Sequence, residues 1–75
     1  MEDYKEVYDD KCIVTREDIG VDVEGDILRF KPKEMIKLTI GKGVMLTLKY
    51  DSFGRVYIGE KARMPFVTKG PARLK

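Results

Sequence analysis

Between Ile36 and Ile58 apolar and polar residues alternate almost without interruption, and no other pattern in the chain narrows its folds so far. Ile36, Leu38 and Ile40 share one face, with Lys37 and Thr39 on the other. Gly41-Lys42-Gly43 makes a turn, after which Val44, Leu46, Leu48 and Tyr50 alternate with Met45, Thr47 and Lys49. Asp51-Ser52-Phe53-Gly54 makes a second turn, and beyond it the alternation predicts Val56 and Ile58 inward with Arg55 and Tyr57 outward. A period of two belongs to strands, because successive side chains point to opposite sides of a pleated backbone. The stretch therefore reads as three consecutive antiparallel strands with one apolar and one polar, basic face.

The flanks extend the sheet. Cys12-Ile13-Val14-Thr15 is a short β-prone run, and Ile19, Val21 and Val23 alternate with polar neighbours. The break at Glu24-Gly25-Asp26, followed by Ile27-Leu28-Arg29-Phe30, predicts a hairpin. Pro32 ends that strand, Lys33-Glu34-Met35 reads as a single turn, and Glu60 to Met64 as a short helical turn ending at Pro65. Five or six short strands at this spacing predict an all-β fold, a small antiparallel barrel that is SH3-like by preference. The barrel is expected over residues 12–67, between an acidic N-terminal arm (1–11) and a basic, mobile C-terminal tail (68–75). Within the arm, Tyr4, Val7 and Tyr8 are spaced for one helical turn packing on a neighbour, or the segment stays loose as an N-terminal arm.

Composition removes whole classes of chemistry. The chain has 75 residues, one cysteine (Cys12) and no histidine. A chain of this length buries only about 60% of its unfolded surface, and one cysteine leaves no internal disulfide to help it. No apolar run is long enough to span a bilayer, and the acidic start lacks the order of a signal peptide, so a soluble, cytoplasmic protein without a membrane partner is expected. The absence of Asn and Gln, with charged residues at 37%, matches a thermophile-like composition. Without histidine the usual general base near neutral pH is missing, and neither Cys12 nor Ser52, the only serine, has a partner to activate it. No Cys/His set suits zinc, no acidic stretch has the spacing of a calcium loop, and Gly41-Lys42-Gly43 lacks the frame of a phosphate-binding loop. The expectation is no catalytic residue, no metal and no cofactor.

Charge points instead to a polyanion. Residues 1–26 hold ten acids against three bases, whereas residues 27–75 hold twelve bases against three acids. The outward residues of the alternating stretch are Lys37, Thr39, Met45, Thr47, Lys49, Arg55 and Tyr57, with Lys42 in the adjoining turn and Arg63 as a flanking phosphate contact. Lys and Arg neutralise phosphates and release counterions, Thr hydroxyls bond phosphate or base edges, and Met and Tyr wedge into or stack on bases. An ordinary solvated sheet face would also carry Lys, Thr and Arg. It would not favour Met45 and Tyr57, which a partner subunit or the arm would otherwise have to cover. Duplex DNA bound with little sequence specificity is the leading expectation. RNA on the same face is an alternative, because stacking and phosphate contacts do not choose a sugar. A protein partner, basic and engaged by the acidic first 26 residues, or a second copy in a homodimer, is the other.

Two family resemblances bear on that expectation. Gly25, the Lys-Glu turn before Ile36, Gly43-Val44-Met45, Tyr50-Asp51, Gly54-Arg55 and Gly59-Glu60-Lys61 before Pro65 resemble the seven-kilodalton crenarchaeal chromatin proteins. That resemblance implies an SH3-like barrel whose three-stranded face lies on the DNA minor groove, with Met45 at a wedge position and Thr47 and Arg55 facing the groove. The chain departs from that family in having no Trp on the face, Tyr57 where a small residue stands, and an acidic arm. Asp51-Ser52-Phe53-Gly54-Arg55-Val56-Tyr57-Ile58-Gly59-Glu60-Lys61-Ala62-Arg63 resembles the signature of AbrB-type regulators, which are swapped-hairpin DNA-binding dimers. Ile19-Gly20-Val21 and Gly25-Asp26-Ile27-Leu28 resemble their later segment, in permuted order. Both resemblances imply DNA binding through Arg55.

Overall fold

Alternating sequences leave a sheet with two unpaired edges unless it closes, and this one closes. A computed structural model describes residues 7–74. Six strands follow in chain order: β1 (Lys11–Arg16), β2 (Val21–Lys31), β3 (Met35–Ile40), β4 (Val44–Asp51), β5 (Val56–Lys61) and β6 (Met64–Thr68). Each pairs antiparallel with the next, and β6 returns to β1 through Val14 opposite Thr68, Thr15 opposite Val67 and Arg16 opposite Phe66. The result is a small closed antiparallel barrel, and closure removes the edges that would template aggregation. No helix among the described residues is long and apolar enough to cross a membrane.

The core comes from the inward half of each strand. Val14, Ile36, Leu38 and Leu48 are wholly buried, and Cys12, Leu46, Tyr57 and Phe66 nearly so. Thr68, the buried polar residue, donates its hydroxyl to the Ile13 carbonyl at 2.7 Å and so ties the β1–β6 seam. One end of the barrel carries the turns 17–20, 41–43 and 62–63; the other carries 32–34, 52–55, the start of β1 and the end of β6. Aromatic rings close this second end. Tyr8 meets Phe30 edge-on at 4.8 Å between ring centres, Phe30 meets Tyr57 at 5.7 Å, and Tyr57 lies 5.0 Å from Tyr50.

Three sequence expectations need correction. The hairpin expected at Gly25 does not form, because β2 runs unbroken for 11 residues. Gly25 sits inside the barrel, where a Cβ would stand 3.1 Å from Leu38 Cδ1 and 3.3 Å from Val14 Cγ2; the residue is small because three strands converge on it. A bulge at Leu28 then shifts the phase of β2, so that Phe30 turns inward while Arg29 and Lys31 face out. Second, β5 has the opposite phase to the one expected. The turn 52–55 ends with Arg55 in a left-handed conformation (φ 58°), and Tyr57 pairs opposite inward-facing Tyr50. Tyr57 is therefore 5% exposed and Ile58, expected inside, is 43% exposed. A one-residue slip exchanges the two faces of a strand. Third, Glu60 to Met64 is a tight hairpin instead of a helical turn. Ala62 and Arg63 both have positive φ (52° and 65°), as a two-residue turn matched to strand twist requires, and Pro65 lies within β6.

Tyr4, expected either to share a helical turn with Val7 and Tyr8 or to lie in a loose arm, falls outside the described residues. Residues 7–9 run antiparallel to 72–74. The Asp9 N–H donates to the Ala72 carbonyl at 2.9 Å, the Leu74 N–H to the Val7 carbonyl at 2.6 Å, and Tyr8 bridges to Arg73.

Candidate nucleic-acid interface

Register decides which charges meet on the outer surface. On β3 the outward residues are Met35, Lys37 and Thr39, and each has a partner on both sides. Lys37 lies between Arg29 of β2 and Thr47 of β4; Met35 lies between Lys31 and Lys49; Thr39 lies between Asp26 and Met45. Directly opposed residues on one face of an antiparallel pair have their Cβ atoms about 4.5–5.5 Å apart. Arg29, Lys31, Lys37 and Lys49 thus form a patch around the Met35 side chain. None of the four takes part in an ion pair among the described residues, unlike Lys11 with Asp26 and Arg16 with Asp18. Like charges placed opposite each other weaken a sheet, so the fold gains nothing by gathering them there.

The acids collect elsewhere. Asp22, Glu24 and Asp26 face outward from the first half of β2, beside Thr15, Ile13 and Lys11 of β1. Lys11 Nζ donates to Asp26 Oδ1 at 2.7 Å, and the hydrogen bond and charge of Asp26 raise the Lys11 pKa. Thr15 donates to Asp22 Oδ1 at 2.6 Å. At the neighbouring turn, Arg16 donates two hydrogen bonds to Asp18, at 2.8 and 2.9 Å, and these hold the Asp18 carboxyl below its usual range. The division of charge along the sequence is therefore also a division of the barrel surface.

Of the residues expected in the interface, Lys37, Met45, Thr47 and Lys49 share the outward face of β3 and β4. Met45 is 46% exposed, and its carbonyl accepts a hydrogen bond from Lys61 Nζ at 2.8 Å. Lys42 and Arg63 are exposed in turns at one end of the barrel; Arg55 is exposed in a turn at the other. The expected set does not converge on one spot. Tyr57 leaves it altogether: its hydroxyl accepts the Lys33 N–H at 2.8 Å and its ring belongs to the core. Arg29 and Lys31 join the face in its place. Only the bulge at Leu28 brings them outward, and that phase shift has no mark in the residue pattern.

Next to the face lies an open groove of about 720 Å³ lined by Thr47 and Lys49, by the apolar Ile58 and Pro65, and by the acidic Glu17 and Glu60. Gly59 forms its floor. A Cβ there would stand 2.5 Å from Leu48 Cδ2 and 2.7 Å from the Thr47 carbonyl oxygen, so β5 crosses β4 at a distance only glycine permits. The groove gives the basic face a concave border that is partly apolar and, through Glu17 and Glu60, partly acidic. A second hollow of about 470 Å³, between β1 and residues 69–72, mixes Asp9, Glu24, Lys11 and Lys69 and has no single sign of charge. Cys12 lies beneath it, buried, and burial raises its thiol pKa. Among the described residues no group of three or more His, Cys, Asp or Glu side chains is placed to hold a metal. No protein-family model, curated protein or solved structure matches the chain.

Proposed function

We propose that this chain is a non-catalytic DNA-binding module that holds duplex DNA against the outward face of β3 and β4 with little sequence specificity. One observation carries the reading: Arg29, Lys31, Lys37 and Lys49 lie side by side around Met35 without a carboxylate among them. Such a patch is balanced by phosphates, and binding releases the counterions condensed on the duplex. Thr47, opposite Lys37 and two residues from Lys49, places its hydroxyl among the cations, where it suits a phosphate or sugar oxygen. Met45, half-exposed beside them, suits a wedge into a base step. The resemblance of Gly43-Val44-Met45 and Thr47 to crenarchaeal chromatin proteins supports the same use of the face. Arg55, Lys42 and Arg63 then serve as outlying phosphate contacts at the two ends. RNA is the alternative ligand of this face, and the acidic strip of Asp22, Glu24 and Asp26 keeps a basic protein partner as the rival.

A salt titration of binding to a short duplex tests the proposal. Each phosphate contact contributes about 0.9 to the slope of log affinity against log salt concentration. Lys49→Ala and Arg29→Ala should each weaken binding and flatten the slope by about one. Met45→Ala should lower affinity with the slope intact. Unchanged affinity in all three variants would transfer first place to the protein partner.

A further inference from the structure

Phe53 is 97% exposed, whereas the other exposed large apolar residues among those described reach at most 62%. An aromatic ring left wholly in water is unfavourable, and folding does nothing to relieve it. The backbone that carries the ring is nevertheless held in place. Asp51 fixes the tip of the β4–β5 hairpin by accepting the Phe53 N–H on Oδ1 at 3.2 Å and the Arg55 N–H on its carbonyl at 2.7 Å. The hairpin closes with Arg55 at φ 58°. The neighbouring β2–β3 turn is anchored at the same end, through Lys33 N–H to the Tyr57 hydroxyl at 2.8 Å and Tyr50 N–H to the Glu34 carbonyl at 2.9 Å. Lys31 and Lys49 mark where the basic face runs down to this end.

We propose that Phe53 is a stacking platform for an unpaired nucleobase, with Arg55 and Lys33 taking the adjoining phosphates. The inference rests on the nucleic-acid reading above and deepens it, because it names the part of the ligand that reaches the hairpin tip. Inside a duplex both faces of a base are covered by its neighbours, so a ring reaches one only by unstacking a step, at a cost. A base at a strand end, gap or overhang offers an open face, and aromatic stacking on it tolerates any sequence. The composition of the tip argues against an apolar protein pocket. Phe53 is flanked by Ser52, Gly54, Asp51 and Arg55, with no second apolar side chain to extend a hydrophobic contact. The protein would therefore bind best where double-stranded DNA meets single strand, duplex on the sheet face and the first free base on Phe53.

The test compares a short blunt duplex with the same duplex carrying a single-stranded overhang, using the full chain. The wild type should bind the overhang probe more tightly by roughly 5- to 150-fold, the range for one stacked base. Phe53→Ala should erase that preference and leave blunt-duplex affinity unchanged. Because the chain has no Trp, Phe53→Trp introduces a single indole whose emission should be quenched by the overhang probe and not by the blunt one. Equal affinity of the wild type for both probes, or a preference that survives Phe53→Ala, would overturn the inference and leave the sheet-face reading standing. Failure to bind either probe would overturn both. Loss of binding to anionic vesicles in Phe53→Ala, with no overhang preference in the wild type, would assign the ring to a lipid surface and equally overturn the inference.

Discussion

Tyr57 separates two accounts of this protein, because the alternation of residues makes it a surface contact and the barrel makes it core. The ring is 5% exposed, packs against Phe30 at 5.7 Å and Tyr50 at 5.0 Å, and its hydroxyl accepts the Lys33 N–H at 2.8 Å. Removing a buried aromatic side chain costs about 3–5 kcal/mol, the lost transfer energy and the cavity together. At roughly 0.05–0.15 kcal/mol per residue, a domain of this size holds about 4–11 kcal/mol in all. Tyr57→Ala should therefore remove about a quarter or more of the stability, and should leave the chain substantially unfolded if the total lies at the low end. Tyr57→Phe keeps the packing and loses one hydrogen bond. Lys33 is exposed, so water can take its N–H, and the loss should be about 0.5–1.5 kcal/mol. Urea unfolding followed by far-UV circular dichroism measures both, and DNA binding by Tyr57→Phe should match the wild type. A Tyr57→Ala variant that unfolds at the wild-type urea concentration yet no longer binds DNA would refute the burial and restore the ring to the surface.

Gly59→Ala should destabilise the barrel by roughly 1–3 kcal/mol or more, typical of overpacking, because a Cβ 2.7 Å from the Thr47 carbonyl oxygen meets backbone that cannot swing away. A wild-type thermal midpoint in that variant would mean that β5 and β4 do not approach so closely. In the β5–β6 turn, Ala62→Asn combined with Arg63→Gly suits the positive φ values and should raise stability by about 1 kcal/mol in urea unfolding; a loss would argue against a two-residue turn there. Burial holds the Cys12 thiol above its ordinary range, so the folded state favours the protonated form. Stability from this source is complete below the unfolded thiol pKa and declines as pH rises past it. A thiol reagent near pH 8 should label Cys12 slowly in the native protein and at once in urea, and fast native labelling would contradict its burial.

The fold was legible where alternation ran uninterrupted and both turns carried their usual residues. Ile36, Leu38, Leu46 and Leu48 are all buried as the period of two required, and Gly41-Lys42-Gly43 turns the chain between them. Legibility failed where one residue type serves two purposes. Glycine marks turns and also marks close approach, and at Gly25 the second use won because Leu38 and Val14 leave no room for a Cβ. Val56-Tyr57-Ile58 places three apolar residues in succession, so either phase looks acceptable locally. The choice is made at a distance, by the pairing of Tyr57 with Tyr50 and by the need for glycine at the next inward position, where β5 meets Leu48.

The candidate site divides along the same line. Lys37, Met45, Thr47 and Lys49 could be placed on one face because they lie in the stretch whose phase is unambiguous. Arg29 and Lys31 could not, since their direction depends on an extra residue at Leu28 and their neighbours belong to another strand. Residues in turns are harder still. Lys42, Arg63 and Arg55 are all exposed and basic, yet the up-and-down path of the barrel sends the first two to one end and the third to the other. A charge count cannot distinguish such an arrangement from a single cluster. Net charge measures how strongly a chain attracts polyanions at long range. The register measures how many phosphates it can hold at once. The cross-strand neighbours Arg29 and Lys37, with Lys31 and Lys49 on either side of Met35, bear on the second quantity, and so the four cations around Met35 carry more weight for the proposed DNA binding than the larger basic excess of residues 27–75.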